Sequence, residues 1–326
     1  MKLLVPGGAG YIGSHMVKYL QDRDHEVVVL DDFSTGHEWA VKGCEILRVN
    51  LLDQAALATS LKGRQFDGVI HFAAKSLVGE SVVQPQLYYR NNVVGSLNLI
   101  NEMLRNDINN LVFSSTAAIF GNPVTEKIAE DHPKNPINPY GQSKLMVENL
   151  LRDICSAHDF NATCFRYFNA AGADLSGTIG EDHDPETHLI PNVLKAALAG
   201  GNSLKVFGND YPTHDGTCVR DYVHVTDLAQ AHLLGLESMR GDAKGFSAYN
   251  LGNGNGFSVV DVIQSCERVV NDSISYQIDG RRAGDPAVLV ADSGKALNAL
   301  GWTPEFDQLD SIVGSAWQWH KGLGER

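Results

Sequence analysis

The chain has 326 residues, the length of about two domains. Its 26 Lys and Arg against 39 Asp and Glu leave a formal charge of −13. That balance speaks against nucleic acid or an anionic membrane surface as the main partner, since both require a positive footprint. With 43% hydrophobic and 20% charged residues there is material for a large core, and disorder is excluded on composition.

No apolar run approaches the roughly 18–20 residues of a membrane span. Met1-Lys2-Leu3-Leu4-Val5 runs straight into a glycine cluster at Gly7, which leaves no room for a signal peptide, and a cytoplasmic location is expected. Cys44, Cys155, Cys164, Cys218 and Cys266 are odd in number and show no C-x-x-C spacing; they read as buried free thiols in a reducing compartment.

In chain order, residues 2–5 read as a strand, 11–22 as a helix, 26–30 and 45–49 as strands and 54–61 as a helix. Residues 68–72 form the next strand, 87–105 a helix, 110–114 a strand, 139–158 a helix and 162–168 a further strand. Strands apolar on both faces that alternate with helices indicate a parallel sheet covered on both sides. The expected fold is therefore α/β: a doubly wound, Rossmann-type sheet whose ligand crevice lies beyond the carboxyl ends of its strands. After Asn169 the texture changes to a Gly/Asp/Pro-rich stretch and shorter elements. A first domain over 1–175 and a smaller α/β domain over 176–326 are expected, with segments of the second returning to the first sheet.

Gly7-Gly8-Ala9-Gly10-Tyr11-Ile12-Gly13 follows the first strand and opens the first helix. Its glycines suit a tight turn, close approach to a pyrophosphate and close packing of helix on strand, and the helix N-terminus presents free N–H groups to the phosphates. Glycine-rich turns are common, so the loop alone is a weak signal. Asp31 ends the second strand roughly 20 residues further on, where a carboxylate for the adenosine ribose belongs. A bare strand cap is the simpler reading of Asp31, but strand, loop, helix and carboxylate stand in register. Asp31 and Asp32 would repel a 2′-phosphate, which favours NAD over NADP.

Tyr140-Gly141-Gln142-Ser143-Lys144 opens the helix after Pro139. Residues four apart lie on one helix face, so the Lys144 ammonium can stand near the Tyr140 phenol. Bringing a phenol from about 10 to about 7 requires roughly 4 kcal/mol of differential stabilisation, which a fixed positive charge and an oxidised nicotinamide can supply. In isolation such a pair is more often a surface contact; beside an NAD loop the balance reverses. Thr116, at the end of the fifth strand, offers a hydroxyl for a substrate oxygen; a loop cap is its simpler role.

These stretches resemble the extended short-chain dehydrogenases/reductases, and within them the UDP-glucose (UDP-galactose) 4-epimerase family. The matching runs include His71-Phe72-Ala73-Ala74-Lys75, Val78–Ser81, Tyr88–Val93, Phe113–Gly121, Pro139–Glu148 and Arg166–Asn169. The most specific is Phe207–Ala229, FGNDYPTHDGTCVRDYVHVTDLA, followed by Tyr249–Gly252 and Arg281–Asp285. The resemblance implies Tyr140 as catalytic base and acid, Lys144 as its electrostatic partner and a nicotinamide-ribose ligand, and Thr116 as the hydroxyl that orients the sugar. It implies that Gly7, Gly10, Tyr11, Ile12, Gly13, Asp31, Asp32, Asn50, Leu51, Phe72, Ala73, Ala74, Lys75, Asn91 and Tyr167 lie along NAD. It places Asn169, His188, Leu189, Phe207, Arg220, Arg282, Asp285 and Leu289 against the UDP-sugar, making 1–175 the NAD-binding and 176–326 the UDP-sugar-binding domain. The implied reaction interconverts UDP-galactose and UDP-glucose through a 4-keto sugar, in a homodimer that buries the helices of 87–105 and 139–157.

Departures from the family pattern are Pro6, where Thr is usual; Asn50, in place of an Asp that contacts adenine; Phe120 for Tyr; and Leu289, intermediate between the bulky and small residues found beside the sugar's 2-substituent. Leu289 suggests some turnover of UDP-GlcNAc/UDP-GalNAc. Ala117-Ala118 cannot transfer protons, which disfavours a dehydratase; a decarboxylase and a non-catalytic NAD-binding module complete the set of rival readings. No metal is expected: Glu181-Asp182-His183-Asp184 reads as a solvated loop. Trp302, Trp317 and Trp319 read as core packing of the last helix.

Overall fold

The computed structural model describes residues 1–200, 204–241, 244–282 and 285–323; Ala283 and Gly284 of the Arg281–Asp285 run lie outside them. The first half forms β1 (Lys2–Pro6), α1 (Tyr11–Gln21), β2 (Glu26–Asp31), β3 (Glu45–Arg48), α2 (Gln54–Leu61), β4 (Gly68–His71), α3 (Val78–Val83), α4 (Pro85–Tyr88), α5 (Gly95–Arg105), β5 (Asn110–Thr116), α6 (Pro139–Ala157) and β6 (Asn161–Tyr167). Then come β7 (Asn169–Ala171), α7 (Leu189–Ala199), β8 (Leu204–Phe207), β9 (Val219–Arg220), β10 (Tyr222–His224), α8 (Val225–Arg240), β11 (Phe246–Leu251), β12 (Phe257–Ser258), α9 (Val259–Val270), β13 (Tyr276–Asp279), β14 (Val288–Leu289), α10 (Gly294–Leu300) and α11 (Leu309–Leu323).

Seven strands join in one sheet, ordered β3-β2-β1-β4-β5-β6-β11, and every pairing is parallel. Alternation along each strand sends side chains to opposite faces. Leu3, Val5, Val27 and Val29 pack under Met16, Val17 and Leu20 of α1 and Leu228, Leu233 and Leu236 of α8. Leu4, Val28, Leu30 and Leu111 face Leu57 and Leu61 of α2, Leu99 and Met103 of α5, and Val147 and Leu151 of α6. Each such fully buried aliphatic side chain contributes about 1.5–3 kcal/mol, so both faces are strongly specified. The strand order reverses between β1 and β4, and their loops diverge there to leave the crevice.

The rest builds a smaller core from α7, α9 and α11, with Val193, Leu194, Val206, Val262, Ile263, Ile312 and Val313 buried together. Two-stranded parallel sheets β7-β10 and β8-β13 and the three-stranded β12-β9-β14 support it.

Two elements differ from the sequence reading. The helix expected over 87–105 is α4 and α5 joined by a π-helical segment, Tyr89–Val94. Trp302 is buried but lies ahead of the last helix, where its Nε1 donates to the Asp227 carbonyl at 2.9 Å and its ring joins the α1/α8 side of the main sheet. Pro6 ends β1 with its carbonyl accepting from Phe72 N and Ala73 N at 2.8 and 3.0 Å, so the missing N–H leaves the contact to the β4 loop intact. Among the described residues no helix is long and apolar enough to cross a membrane, and all five cysteines are free.

Candidate active site

The glycine loop sits where β1 meets β4. Gly7 has φ +77°, and a Cβ there would lie 2.3 Å from Ala73 N; one on Gly13 would lie 2.1 Å from the Gly7 carbonyl oxygen. Those two glycines answer to the protein itself. Gly10 does not: its φ is −75° and a Cβ would meet nothing closer than 3.5 Å. A glycine that the fold does not demand, at the N-cap of α1, leaves the helix N–H groups open to a close-approaching anion, which fits the pyrophosphate of a dinucleotide.

Asp31 caps the turn from within. It is 9% exposed, and its carboxylate accepts from Ala9 N at 2.9 Å and Phe33 N at 2.8 Å. Burial raises its pKa, and those backbone donors pull it back down. Asp32 accepts from Asn50 Nδ2 at 2.6 Å, while Asn50 Oδ1 accepts from Leu52 N at 2.8 Å. Asn50 thus joins the same rim through Asp32. Leu51 is buried, and its carbonyl holds Asn98 at 2.9 Å. Ile12 and Phe72 pack against one face of the sheet and Ala73 against the other; Ala74 and Lys75 continue the same half-buried loop. The Tyr11 hydroxyl donates to the Gly172 carbonyl at 2.6 Å, tying α1 to the chain beyond β7. Asn91 lies in the π-helical segment and donates to Asn92 Oδ1 at 3.1 Å.

Asn138 accepts from Gly141 N at 2.8 Å and Pro139 takes the first helical position, so α6 starts where the sequence places it. Lys144 is 3% exposed, and its Nζ donates to the Ser114 carbonyl at 2.8 Å and lies 4.8 Å from the Phe113 ring. Burial lowers its pKa to about 7. The Tyr140 phenol is pushed up by burial and pulled down by a hydrogen bond from Thr116. Thr116 also caps the turn after β5, accepting from Ala118 N at 3.1 Å, the simpler of its two expected roles. Tyr167 is bonded to the Ser114 hydroxyl next to the Lys144 anchor.

A cavity of about 360 Å³ opens beside this group. Asn169, His188, Leu189, Phe207, Arg220, Arg282 and Asp285, expected from sequence to meet the UDP-sugar, all line it. The first residues of α7 line the cavity, and the His188 side chain at its N-cap makes no capping hydrogen bond. Arg220 pairs with Asp285 at 2.6 Å, and the Arg282 guanidinium lies over the Phe207 ring at 4.0 Å. The two adjacent arginines separate: Arg281 turns to Asp210, 2.6 Å away, and to the Tyr211 ring. Leu289 is not among the lining residues; it pairs with Arg220 and packs beside Ala117, Ile119 and Phe120.

Residues 3–252 match the model of the NAD dependent epimerase/dehydratase family. A UDP-glucose 4-epimerase of Halalkalibacterium halodurans is 49% identical over 98% of this chain and 96% of its own length. The chain is a member of the UDP-glucose 4-epimerase family. Solved structures agree: the Brucella ovis UDP-glucose 4-epimerase in complex with NAD superposes with a TM-score of 0.93 at 45% identity, over 97% of each chain. The Bifidobacterium longum UDP-glucose 4-epimerase with NAD+ and UDP gives a TM-score of 0.93 at 36% identity, over 99% of each.

Three features of this UDP-glucose 4-epimerase homologue escaped the sequence reading. Asn92, 1% exposed, accepts from Lys75 N at 2.8 Å and donates to Lys75 O and Ser143 Oγ at 3.0 Å each, locking the β4 loop to α6. Arg166 and Glu148 form a bidentate buried pair at 2.9 and 2.7 Å, and Ser115 donates to the same carboxylate at 2.6 Å. The third corrects an expectation. Glu181 is 4% exposed and packed against His183, Glu186 and His188, so the run is not solvated throughout, although Asp184 is exposed. Gly180 lies against the Trp319 ring, and Trp319 Nε1 donates to the Glu181 carbonyl at 2.9 Å, which buries it. Although burial opposes their charge, the two carboxylates hold His183 up to about 9 and His188 up to about 10.

Proposed function

We propose that the chain is an NAD-dependent isomerase that interconverts UDP-galactose and UDP-glucose through a 4-keto hexose. The observation that carries this reading is the half-buried Tyr140, its phenol drawn down by Thr116, one helical turn from buried Lys144, in a fold that also holds a dinucleotide-type glycine turn and a cavity lined by Arg220 and Arg282. NAD, when bound, supplies a hydride acceptor that gives the hydride back within the same turnover.

The Gly7–Gly13 loop, Asp31, Asp32, Lys75 and Asn91 would hold the cofactor. Tyr140 Oη takes the proton of the sugar 4-hydroxyl as the C4 hydride leaves and the C4–O bond becomes a carbonyl. Thr116 steadies the sugar oxygen, and the Lys144 ammonium stabilises the phenolate. Return of the hydride to the other face, with the proton coming back from Tyr140, inverts C4. The anchor must therefore be firm on UDP and loose on the sugar. Arg220, Arg282 and the α7 N-terminus suit the diphosphate through charge-assisted bonds.

The domain division is proposed at about residue 175, with α8 and β11 of the second part serving the first sheet. A homodimer in the cytoplasm accords with the free thiols and with exposed Val82, Val83, Val94 and Met146 on α3, the π segment and α6. Leu289, paired in register with the cavity residue Arg220, is proposed to leave room for partial turnover of the N-acetylated pair. The test is a coupled assay of purified protein without added NAD. UDP-galactose is converted, UDP-N-acetylgalactosamine more slowly; no conversion of UDP-galactose overturns the reading.

A further inference from the structure

Glu181, His183, Glu186 and His188 each offer one ligand atom, and these atoms lie within 4.8 Å of one another. His183 Nδ1 is 3.3 Å from Glu181 Oε1 and 3.7 Å from Glu186 Oε2. His188 Nδ1 is 2.5 Å from Glu181 Oε1 and 3.4 Å from Glu186 Oε1. Glu181 Oε1, His183 Nδ1 and Glu186 Oε2 are buried and face one another and His188, with no hydrogen bond to the rest of the protein. The Glu181 and Glu186 side chains are both 5% exposed, so two carboxylates are withdrawn from water with oxygens turned inward.

A tetrahedral ion with bonds of about 2.0–2.2 Å to nitrogen and carboxylate oxygen separates its ligand atoms by roughly 3.3–3.5 Å. The His183–Glu181 distance already matches that separation, the His188–Glu181 pair has to open by less than about an ångström, and Glu186 turns Oε2 toward His183 and Oε1 toward His188. The supporting shell is also present. Glu186 Oε1 accepts from Thr187 N and His188 N at 2.8 and 2.9 Å, fixing that carboxylate, and Trp319 holds the Glu181 backbone. Two carboxylates with two neutral imidazoles make an uncharged centre around a divalent cation, which suits burial.

We propose that Glu181, His183, Glu186 and His188 bind one divalent transition-metal ion, zinc by its geometry, as a structural clip. The clip closes the loop of residues 181–188 on itself just ahead of α7, with the Tyr11 ring edge-on to His183 at 6.0 Å. It fixes the α7 N-terminus that floors the diphosphate cavity.

The competing occupants of the same carboxylates are two protons on the histidines, and metal analysis separates the two. Full-length protein is stripped with a chelator, equilibrated with Zn²⁺, freed of excess and assayed by mass spectrometry. About one zinc per chain is expected, falling several-fold in both His183→Ala and Glu186→Gln, but not in His214→Ala, which alters the exposed His214/Asp215/Asp261 group. Co²⁺ in place of zinc should give the intense visible bands of a four-coordinate ion, a readout that needs no variant. Less than about a tenth of an ion per chain, weak six-coordinate cobalt bands, or unchanged zinc in His183→Ala and Glu186→Gln each overturns the proposal.

Discussion

Tyr140 and Thr116 are the residues to which the proposed chemistry of the site is assigned. Burial alone drives the phenol away from ionisation, and the Thr116 hydroxyl is the one side chain seen to pull it back. Lys144 reaches the site through the Ser114 carbonyl. Tyr140→Phe, which removes the proton acceptor and little else, should lower turnover of UDP-galactose by about 10²–10⁴-fold while NAD absorbance stays with the protein. Unchanged turnover would refute the assigned role. Thr116→Val separates the two functions of that residue. If the hydroxyl steadies the sugar oxygen, kcat drops by about 10²-fold; if it is only a turn cap, the melting temperature falls and kcat does not. The Tyr-x-x-x-Lys spacing was legible in the sequence because helix geometry is local. The cap on Ala118 is the simpler of the two roles expected of Thr116.

At the scale of elements, the alignment of α6 with β5 and β6 depends on Glu148 and Arg166. Both sit in regular elements, 0% and 2% exposed, and bond each other in bidentate fashion. Removing one partner leaves an uncompensated buried charge, so Arg166→Met should cost about 3–5 kcal/mol in urea unfolding, and adding Glu148→Leu should recover most of it. A single variant within about 1 kcal/mol of the parent would mean the pair is solvated in solution. The sequence marked Arg166 only as part of a matching run, because no periodicity says which carboxylate a buried arginine will meet. The π segment was hidden for a similar reason. One extra residue per turn leaves the apolar pattern of 87–105 nearly unchanged, and only the backbone bonds of Tyr89–Val94 disclose it.

At the scale of the whole molecule, six of the described histidines are buried, and in four of them burial moves the titration far down. Burial holds His15 and His232 down to about 4, and His71 and His224 down to about 3, against an ordinary 6.5. Below about pH 6.5 the unfolded chain takes up protons that the folded chain refuses until about pH 3–4. Stability is therefore intact above pH 6.5 and lost as pH falls through 6.5 toward 4, by up to roughly 1.4 kcal/mol per pH unit per histidine. Melting temperature should fall steeply between pH 6.5 and 4.5. His232→Phe, within the Phe72, Phe165 and Tyr167 rings, should flatten that slope; equal slopes would contradict the assignment. Size-exclusion with light scattering tests the assembly. The parent should elute as a dimer and Met146→Glu as a monomer, and a monomeric parent removes the proposed interface.

The order of strands and helices in the first half, the glycine turn with its Asp31 and the Tyr140–Lys144 pair were readable from the chain alone. Each rests on neighbours a few residues apart, where alternation, helical pitch and turn chemistry act directly. Tertiary structure alone decided that Arg281 and Arg282 part company, that β11 is the segment which makes the expected return and flanks β6, and that Glu181 is buried among two histidines and a second carboxylate. Those outcomes depend on which distant surfaces exclude water from one another, and a linear pattern of residue types carries no record of that.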